Sequence, residues 1–187
     1  MPGTQILGIS GSLRSGSLNS ELLRAAGGLL PPGSELRIHD GLRDIPPFDE
    51  DALAERPLAV KRLWEEIDAA DAVLISTPEY NHSMPGQLKN ALDWMSRPLA
   101  ESPLRGKPAV VVGASTGMFG AVWAQAETRK VLGAIGARVV DLELPVPNAD
   151  EQFRAEGELV DLDIEASLVS TLGELVHEVR KLEPVAA

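Results

Sequence analysis

Five short apolar runs, separated by longer segments with helical periodicity, limit the possible folds of this chain more than any other feature. The runs predict strands at 6–9, 36–38, 72–75, 109–112 and 138–144. The helical patterns predict helices at 18–30, 57–70, 86–97, 121–136 and 163–182. Because the runs are rich in Val, Ile and Leu and do not alternate with polar residues, they indicate a parallel sheet covered on both faces.

This alternation predicts an α/β protein with a flavodoxin-like three-layer fold. We expect a five-stranded parallel sheet in the order 2-1-3-4-5 with helices on both faces. A length of 187 residues suits a single domain spanning 1–187, and a six-stranded nucleotide fold would need one more strand and helix. Ligands of such sheets bind beyond the carboxyl ends of the strands, where the first and third strands lie side by side. The loops after the first, third and fourth strands are therefore the candidate site.

The composition of the chain limits its partners. A formal net charge of −11 argues against nucleic acid, because a duplex-binding protein needs a basic face. The absence of Cys excludes disulfides and thiolate chemistry, and no cluster with metal-ligand spacing predicts a metal site. No apolar run has the length of a membrane span and no signal peptide is evident, so we expect a cytoplasmic protein without a membrane partner.

The loop after the first predicted strand has the composition of a phosphate site. Residues 11–19 read Gly-Ser-Leu-Arg-Ser-Gly-Ser-Leu-Asn and lead into a helical pattern. The first N–H groups of a helix lack internal partners, and Arg14 adds a guanidinium that matches phosphate oxygens. The loop fits neither the ATP and GTP loops nor the Gly-x-Gly-x-x-Gly dinucleotide spacing. The alternative is a plain turn, in which Ser17 or Asn19 only caps the helix and Arg14 is solvated.

Two further loops follow neighbouring strands. Residues 76–86, after the third strand, include the only Tyr of the chain, Tyr80. The backbone of such a loop can hold a planar polar ligand while its side chains do no chemistry. Residues 113–120, after the fourth strand, add two hydroxyls and three glycines at the same edge. The alternatives are that Glu79 only hydrogen-bonds a neighbouring turn, that Tyr80 is a rim aromatic and that His82 is an ordinary exposed residue.

Two of these segments carry a family resemblance. Residues 11–19 resemble the FMN-phosphate loop of the NADPH-dependent FMN reductase family. Residues 78–86, Pro-Glu-Tyr-Asn-His-Ser-Met-Pro-Gly, and the following Leu-Lys-Asn-Ala-Leu-Asp-Trp at 88–94 look like the second signature of that family. The loop at 113–120 is similar but looser. The family contains flavin-dependent quinone, chromate and azo-dye reductases, so the resemblance implies a flavodoxin-like domain that binds FMN.

The resemblance also implies an activity and its site. It implies an oxidoreductase that passes hydride from NADPH or NADH to FMN and then to a quinone-like or other small acceptor. It implies cofactor-binding roles for residues of all three loops: Ser12, Leu13, Arg14, Ser17, Leu18, Asn19, Pro78, Glu79, Tyr80, Asn81, Ser115, Thr116 and Gly117. It assigns no catalytic side chain, because the flavin performs the chemistry, and it assigns no metal. It finally implies a homodimer or homotetramer, with the helix after Pro85 and its Trp94 near the subunit contact.

Two other functions remain open at this point. A flavodoxin-like electron carrier would bind FMN without turning over NAD(P)H. Carriers commonly clamp the flavin ring between aromatic side chains, whereas the loop after the third strand offers only Tyr80, which favours an enzyme. A binding module with an empty flavodoxin-like pocket is the third possibility. The preference between NADH and NADPH does not follow from the sequence.

Overall fold

The computed structural model describes residues 3–154 and 157–182. Within those residues the chain forms six strands: β1 (Thr4–Ser10), β2 (Ser34–His39), β3 (Ala72–Ser76), β4 (Pro108–Ala114), β5 (Arg138–Val139) and β6 (Pro145–Val146). The same residues form five α-helices: α1 (Leu18–Gly28), α2 (Leu58–Ala69), α3 (Gly86–Met95), α4 (Val122–Ile135) and α5 (Leu162–Arg180). The five predicted helices and the first four predicted strands are confirmed, with ends that differ by a few residues.

The strands form a parallel sheet in the order β2-β1-β3-β4-β5, as predicted for a flavodoxin-like fold. β1 is an inner strand, and its Gly8 lies between Ile38 of β2 and Leu74 of β3. The strand order reverses at β1, because β2 lies on one side of it and the later strands lie on the other. The loops after β1, β3 and β4 therefore meet at one edge of the sheet.

Two hydrophobic cores cover the faces of the sheet, because successive side chains of a strand point to opposite faces. Leu7 and Ile9 of β1 pack with buried residues of α2, α3 and α4. Ile6 of β1 and Leu74 of β3 pack on the other face with buried residues of α1 and α5. Burial on both faces explains why β1, β3 and β4 appear in the sequence as continuous apolar runs. None of the described helices is long and apolar enough to cross a membrane.

The predicted fifth strand, 138–144, is wrong in its detail. Only its first two residues pair with the start of β4, as β5, while β6 pairs with the end of β4. Between them the backbone turns toward α4, where Oε1 of Gln125 accepts a hydrogen bond from Leu144 N at 3.1 Å. Pro145 begins β6, a position at which a missing N–H is tolerated.

Candidate functional site

Three loops meet at the carboxyl edge of the sheet and enclose a cavity of about 130 Å³. The first loop (11–17) follows β1, the second loop (77–85) follows β3 and the third loop (115–121) follows β4. Ten of the predicted cofactor-binding residues line this cavity: Ser12, Arg14, Ser17, Leu18, Asn19, Pro78, Glu79, Tyr80, Ser115 and Thr116. The expectation that the three loops come together is thus confirmed.

A wider cleft of about 760 Å³ opens between the first and second loops. Leu13, another of the predicted residues, lines it together with Arg14 and Tyr80. Asn81 and Gly117, both in the described part of the chain, lie outside the cavity and the cleft. The cleft and the cavity share Arg14 and Tyr80 as lining residues, so they adjoin at these two side chains.

Two residues that the sequence analysis missed, Arg43 and Gln87, also line the cleft. Nε2 of Gln87 donates to the carbonyl oxygens of Leu42 and Ile45, at 2.8 Å each, and so fixes the segment between β2 and α2. Arg43 of that segment donates to the carbonyl oxygen of Leu13 in the first loop. These contacts join residues 30 or more positions apart, so no local pattern indicates them.

The start of α1 presents unpaired donors to the cavity. Ser17 is the N-cap, and its Oγ accepts a hydrogen bond from Ser20 N at 3.3 Å, as the capping alternative predicts. The backbone N–H groups of Leu18 and Asn19 lie in the first turn, where a helix offers no internal acceptor. Together with the positive end of the helix dipole, these groups favour an anion in the cavity.

Arg14 places a positive charge at the junction of the cavity and the cleft, both of which it lines. Its backbone N–H donates to Ser12 Oγ at 3.4 Å, and its guanidinium has no hydrogen-bond or ion-pair partner among the described residues. The neighbouring Arg43 already donates to a first-loop carbonyl. Arg14 can therefore pair with a phosphate without breaking a bond inside the protein.

The side chain of Asn19 is occupied inside the protein. It is 2 % exposed, and its Nδ2 donates to the carbonyl oxygen of Ala114 at 2.9 Å. Its Oδ1 accepts from Ala114 N at 3.0 Å and from Ser76 Oγ at 2.9 Å. The amide thus ties α1 to the ends of β3 and β4, and the backbone N–H is the group of Asn19 that can meet a ligand.

A two-residue turn fixes the second loop. Tyr80 N donates to Ser83 O at 3.0 Å, and Ser83 N donates to Tyr80 O at 3.1 Å. Between them Asn81 and His82 have φ values of 53° and 61°, the left-handed conformation that the central residues of such a turn require. The turn holds the ring of Tyr80 half-exposed at the edge of the cleft.

Glu79 connects the second loop to α4. Its Oε2 accepts hydrogen bonds from Trp123 N at 3.0 Å and from Ala124 N at 3.2 Å. These are first-turn donors of α4, and Ala121 at the N-cap has no side chain that could accept from them. The alternative that Glu79 bonds a neighbouring element is therefore supported, although its partner is a helix N-terminus and not a turn.

The third loop is held by the strand that the sequence did not predict. Ser115 N donates to Val146 O of β6 at 3.1 Å, and Ala149 N donates to Ser115 O at 3.0 Å. Ser115 Oγ accepts from Gly117 N at 3.1 Å. The short β6 therefore positions the third loop against the cavity.

Two tryptophans near the site differ in their exposure. Trp94 is 1 % exposed, its Nε1 donates to Pro46 O at 2.8 Å, and Phe48 packs edge-on against it at 5.1 Å. The indole of Trp94 is therefore enclosed by the chain itself, and the expectation that the helix after Pro85 and its Trp94 lie near a subunit contact stays a prediction. The exposed Trp123 instead packs against His82, with ring centroids 4.8 Å apart.

The donor set of the cavity suits a ligand that combines a phosphate with a planar ring. Helix N–H groups and Arg14 supply donors for an anion, and the half-exposed Tyr80 borders an open cleft. The first and second loops approach closely at Gly11, where a Cβ would lie 3.0 Å from Leu88 Cδ2 and 3.3 Å from Pro78 Cδ.

In the described residues, no group of three or more His, Cys, Asp or Glu side chains could hold a metal ion.

Comparison with known proteins matches this chain to a known family. Residues 4–151 match the model of the family described as NADPH-dependent FMN reductase. An NAD(P)H-dependent FMN reductase of Pseudomonas aeruginosa is 48% identical over 159 residues, which cover 84% of this chain and 85% of that protein. A quinone reductase of Escherichia coli strain K12 is 40% identical over 139 residues, 73% of each chain.

A solved structure shows the same architecture. The flavoenzyme NAD(P)H:(acceptor) oxidoreductase FerB from Paracoccus denitrificans superposes with a TM-score of 0.85 at 34% identity. The match covers 95% of this chain and 98% of that one. The likeness therefore covers nearly the whole chain.

Proposed function

The chain belongs to the NADPH-dependent FMN reductase family, and we propose that its first loop holds the phosphate of FMN while its second and third loops border the flavin ring. As a member of this family it is an FMN-dependent NAD(P)H oxidoreductase. The observation that carries the proposed site is the cavity in which all three loops meet around Arg14, a cation without a partner among the described residues.

The phosphate end of the proposed site depends on local donors. The FMN phosphate carries about −1.5 to −2 charges near neutral pH, by analogy with phosphorylated side chains. The formal net charge of −11 opposes its binding, so nearby cations and N–H groups must outweigh the overall field. Arg14 offers a guanidinium fork, and Leu18 and Asn19 offer N–H groups at the positive end of α1.

The ring end of the proposed site depends on shape. When bound, FMN supplies the transfer of hydride from NAD(P)H and of electrons to the acceptor. The chain orients the flavin through a second loop whose turn and whose Glu79 bond to α4 are already formed. The cleft beside Tyr80 leaves room for a nicotinamide and then for an acceptor. No side chain of the chain needs to move a proton, so we assign no catalytic residue.

The acceptor is a small molecule, and we propose a quinone-like one. This proposal is supported by the names of relatives, which include quinone reductases of Escherichia coli and Pseudomonas putida. The electron-carrier alternative receives no support from them.

We further propose a homodimer or homotetramer, supported by the exposed aromatic group of Trp123 and Phe119. The single domain over 1–187 and the cytoplasmic location stay predictions.

Anaerobic mixing of the FMN-loaded protein with each nicotinamide tests this function. NADPH or NADH should bleach the flavin absorbance, and a quinone should restore it. Double-reciprocal plots of initial rate against nicotinamide concentration, made at several acceptor concentrations, should give parallel lines. Parallel lines are expected because both substrates would use one face of the ring in turn. If dithionite bleaches the flavin but neither nicotinamide does, the protein is an electron carrier and the proposed function is overturned.

A further inference from the structure

A buried amide on α4 is bonded to the third loop. The side chain of Gln125 belongs to a residue that is 0 % exposed, and its Nε2 donates to the carbonyl oxygen of Gly120 at 3.0 Å, near the end of that loop. Its Oε1 accepts from Leu144 N at 3.1 Å, in the segment that precedes β6. A carbonyl requires a donor and an N–H requires an acceptor, so the two partners fix the orientation of the amide.

The bond to Leu144 also connects Gln125 to the start of the third loop. Leu144 lies two residues before Val146 of β6, whose carbonyl oxygen accepts from Ser115 N at 3.1 Å. The amide therefore acts on both ends of the third loop. It bonds Gly120 directly, and it reaches Ser115 through the backbone that leads into β6.

Two glycines provide the space that this arrangement needs. A Cβ on Gly113 of β4 would lie 2.9 Å from Gln125 Nε2, so the amide packs directly against the strand. A Cβ on Gly120 would lie 2.6 Å from Val146 N, and Gly120 has a φ of 54° in the left-handed region. The end of the third loop is thus packed backbone against backbone on β6, in a conformation that glycine adopts without strain.

The next residue carries backbone strain. Ala121 is buried and has a φ of 62°, a left-handed conformation that is costly for a residue with a Cβ. Such a conformation persists only where the surrounding structure holds it. The bond from Gln125 to Gly120 lies on one side of Ala121, and the bonds that Glu79 accepts from the first turn of α4 lie on the other. These bonds supply the constraint.

The middle of the third loop depends on its ends. Residues 116–119 are exposed, so they have little packing of their own. Ser115 and Thr116 line the cavity in which the three loops meet. Where these two residues lie relative to a ligand in the cavity is therefore set by the groups that hold the loop at Ser115 and at Gly120.

We propose that Gln125 is a positioning residue for the flavin ring, which it serves by holding the third loop in place. The inference rests on the proposed function, which puts the third loop beside the ring. Within the described chain, Gln125 lines neither the cavity nor the cleft. Its effect passes through Gly120 and Ser115, so its loss should weaken every ligand that contains the ring by the same factor.

Gln125→Leu tests the proposal, because it removes both hydrogen bonds and keeps an apolar side chain of similar size in the buried position. We expect the affinities for FMN, riboflavin and lumiflavin to fall by the same factor, on the order of three- to ten-fold. Lumiflavin has a methyl group in place of the ribityl chain, so it reports on the ring alone. Fluorescence titration measures the affinities, and the visible circular dichroism of the bound flavin should change as well. A loss confined to FMN overturns the proposal.

Thr128→Val is the matched control on the same helix. Thr128 is buried, and its Oγ1 donates to Ala124 O at 2.7 Å, within α4. The substitution removes a buried hydrogen bond and leaves the bonds to the third loop intact. It should lower the stability of the FMN-free protein in urea and leave the three flavin affinities at the parent values. An equal fall in affinity in both variants overturns the proposal, because Gln125 would then act only through the stability of α4.

Gln125→Glu gives a second variant with the shape of the parent side chain. The carboxyl group can still accept from Leu144 N, but it donates to Gly120 O only when it is protonated. Burial raises the pKa of a carboxyl, and the protonated fraction falls as the pH rises. We expect the riboflavin affinity, relative to the parent at the same pH, to be nearest to the parent at low pH and to fall at higher pH. Riboflavin is used because it has no phosphate to titrate. A relative affinity that rises with pH overturns the proposal.

The parent protein separates this inference from the proposed function. If the parent binds FMN and a nicotinamide reduces it, while Gln125→Leu binds all three flavins as tightly as the parent, only this inference fails. If the parent binds no flavin, the proposed function fails and this inference fails with it.

Discussion

The first and second loops line one cavity but use their polar groups differently. In the first loop, the guanidinium of Arg14 has no partner within the described chain, and α1 begins with unpaired N–H groups. In the second loop, the backbone of Tyr80 and Ser83 is closed in a turn, and Glu79 is bonded to α4. We expect the first loop to bind by charge and the second loop to bind by shape.

This difference gives a general way to separate two contributions to cofactor binding. A loop whose polar groups are paired inside the protein keeps its form without a ligand, so it lowers the entropy lost on binding. A loop with unpaired donors gains its bonds only when the ligand arrives. FMN and riboflavin differ only in the phosphate, so comparing them measures the first loop separately from the second.

The largest effect is expected at Asn19, which follows the first loop and whose side chain makes three hydrogen bonds inside the protein. Asn19→Ala leaves the N–H and C=O groups of Ala114 buried without a partner. We expect the free energy of unfolding to fall by about 2–4 kcal/mol. Urea unfolding of the FMN-free protein measures it, because bound flavin would add its own stabilisation.

Ser12→Ala is the control for that substitution. Ser12 Oγ accepts only a long hydrogen bond, from Arg14 N at 3.4 Å, so its loss should change stability by no more than about 0.5 kcal/mol. If Asn19→Ala weakened FMN binding and left stability unchanged, the amide would act on the ligand. The distinction between polar groups that are paired inside the protein and polar groups that pair only with the ligand would then be wrong.

The second-largest effect is expected at Arg14. It should appear in the affinity for the ligand and not in the stability of the fold. Arg14→Ala removes charge-assisted hydrogen bonds to phosphate that are worth roughly 1.5–3 kcal/mol. FMN affinity should fall on the order of 10- to 100-fold, while riboflavin affinity barely changes. Salt should weaken FMN binding more in the parent than in the variant. Calorimetry with both flavins measures these differences.

Arg105→Ala is the matched control, since it removes an exposed arginine at the far edge of the sheet. It should leave the affinities for both flavins unchanged. Little loss for either flavin in Arg14→Ala would mean a solvated arginine beside a cradle of backbone donors. Equal losses for FMN and riboflavin would mean that the substitution disturbed the loop, and the role of Arg14 would have to be withdrawn.

The smallest effect is expected at Glu79 and should not distinguish the two flavins. Glu79→Ala removes the acceptor for Trp123 N and Ala124 N, so stability should fall by about 1 kcal/mol, as for a lost helix cap. FMN and riboflavin should weaken by the same factor, on the order of two- to five-fold, because both contain the ring. Thermal unfolding and flavin fluorescence titration measure the two effects.

Glu79→Gln keeps one acceptor oxygen and should show a smaller change in both measurements. A loss confined to FMN would contradict the comparison, because it would assign the second loop to the phosphate. No change in stability would mean that the bond to α4 is not what fixes the second loop.

Much of the site could be located from sequence because its position follows from the order of the strands. A parallel sheet in which β1 and β3 are neighbours brings the loops after these strands together, whatever their side chains do. The unpaired Arg14 could also be anticipated, since it is the only cation between the first strand and α1. The partners of Asn19 and Glu79 could not, because they lie 95 and 44 positions away.

The sequence by itself determined the layers, the strand order and the three loops, because hydrophobic periodicity and glycine or hydroxyl content are local properties of a chain. Only the tertiary structure decided that the fifth strand is split, that Trp94 is enclosed and that Arg43 reaches the first loop. Each of these depends on which donor meets which acceptor after the helices pack on the sheet. That choice is made by three-dimensional proximity, which no local pattern encodes.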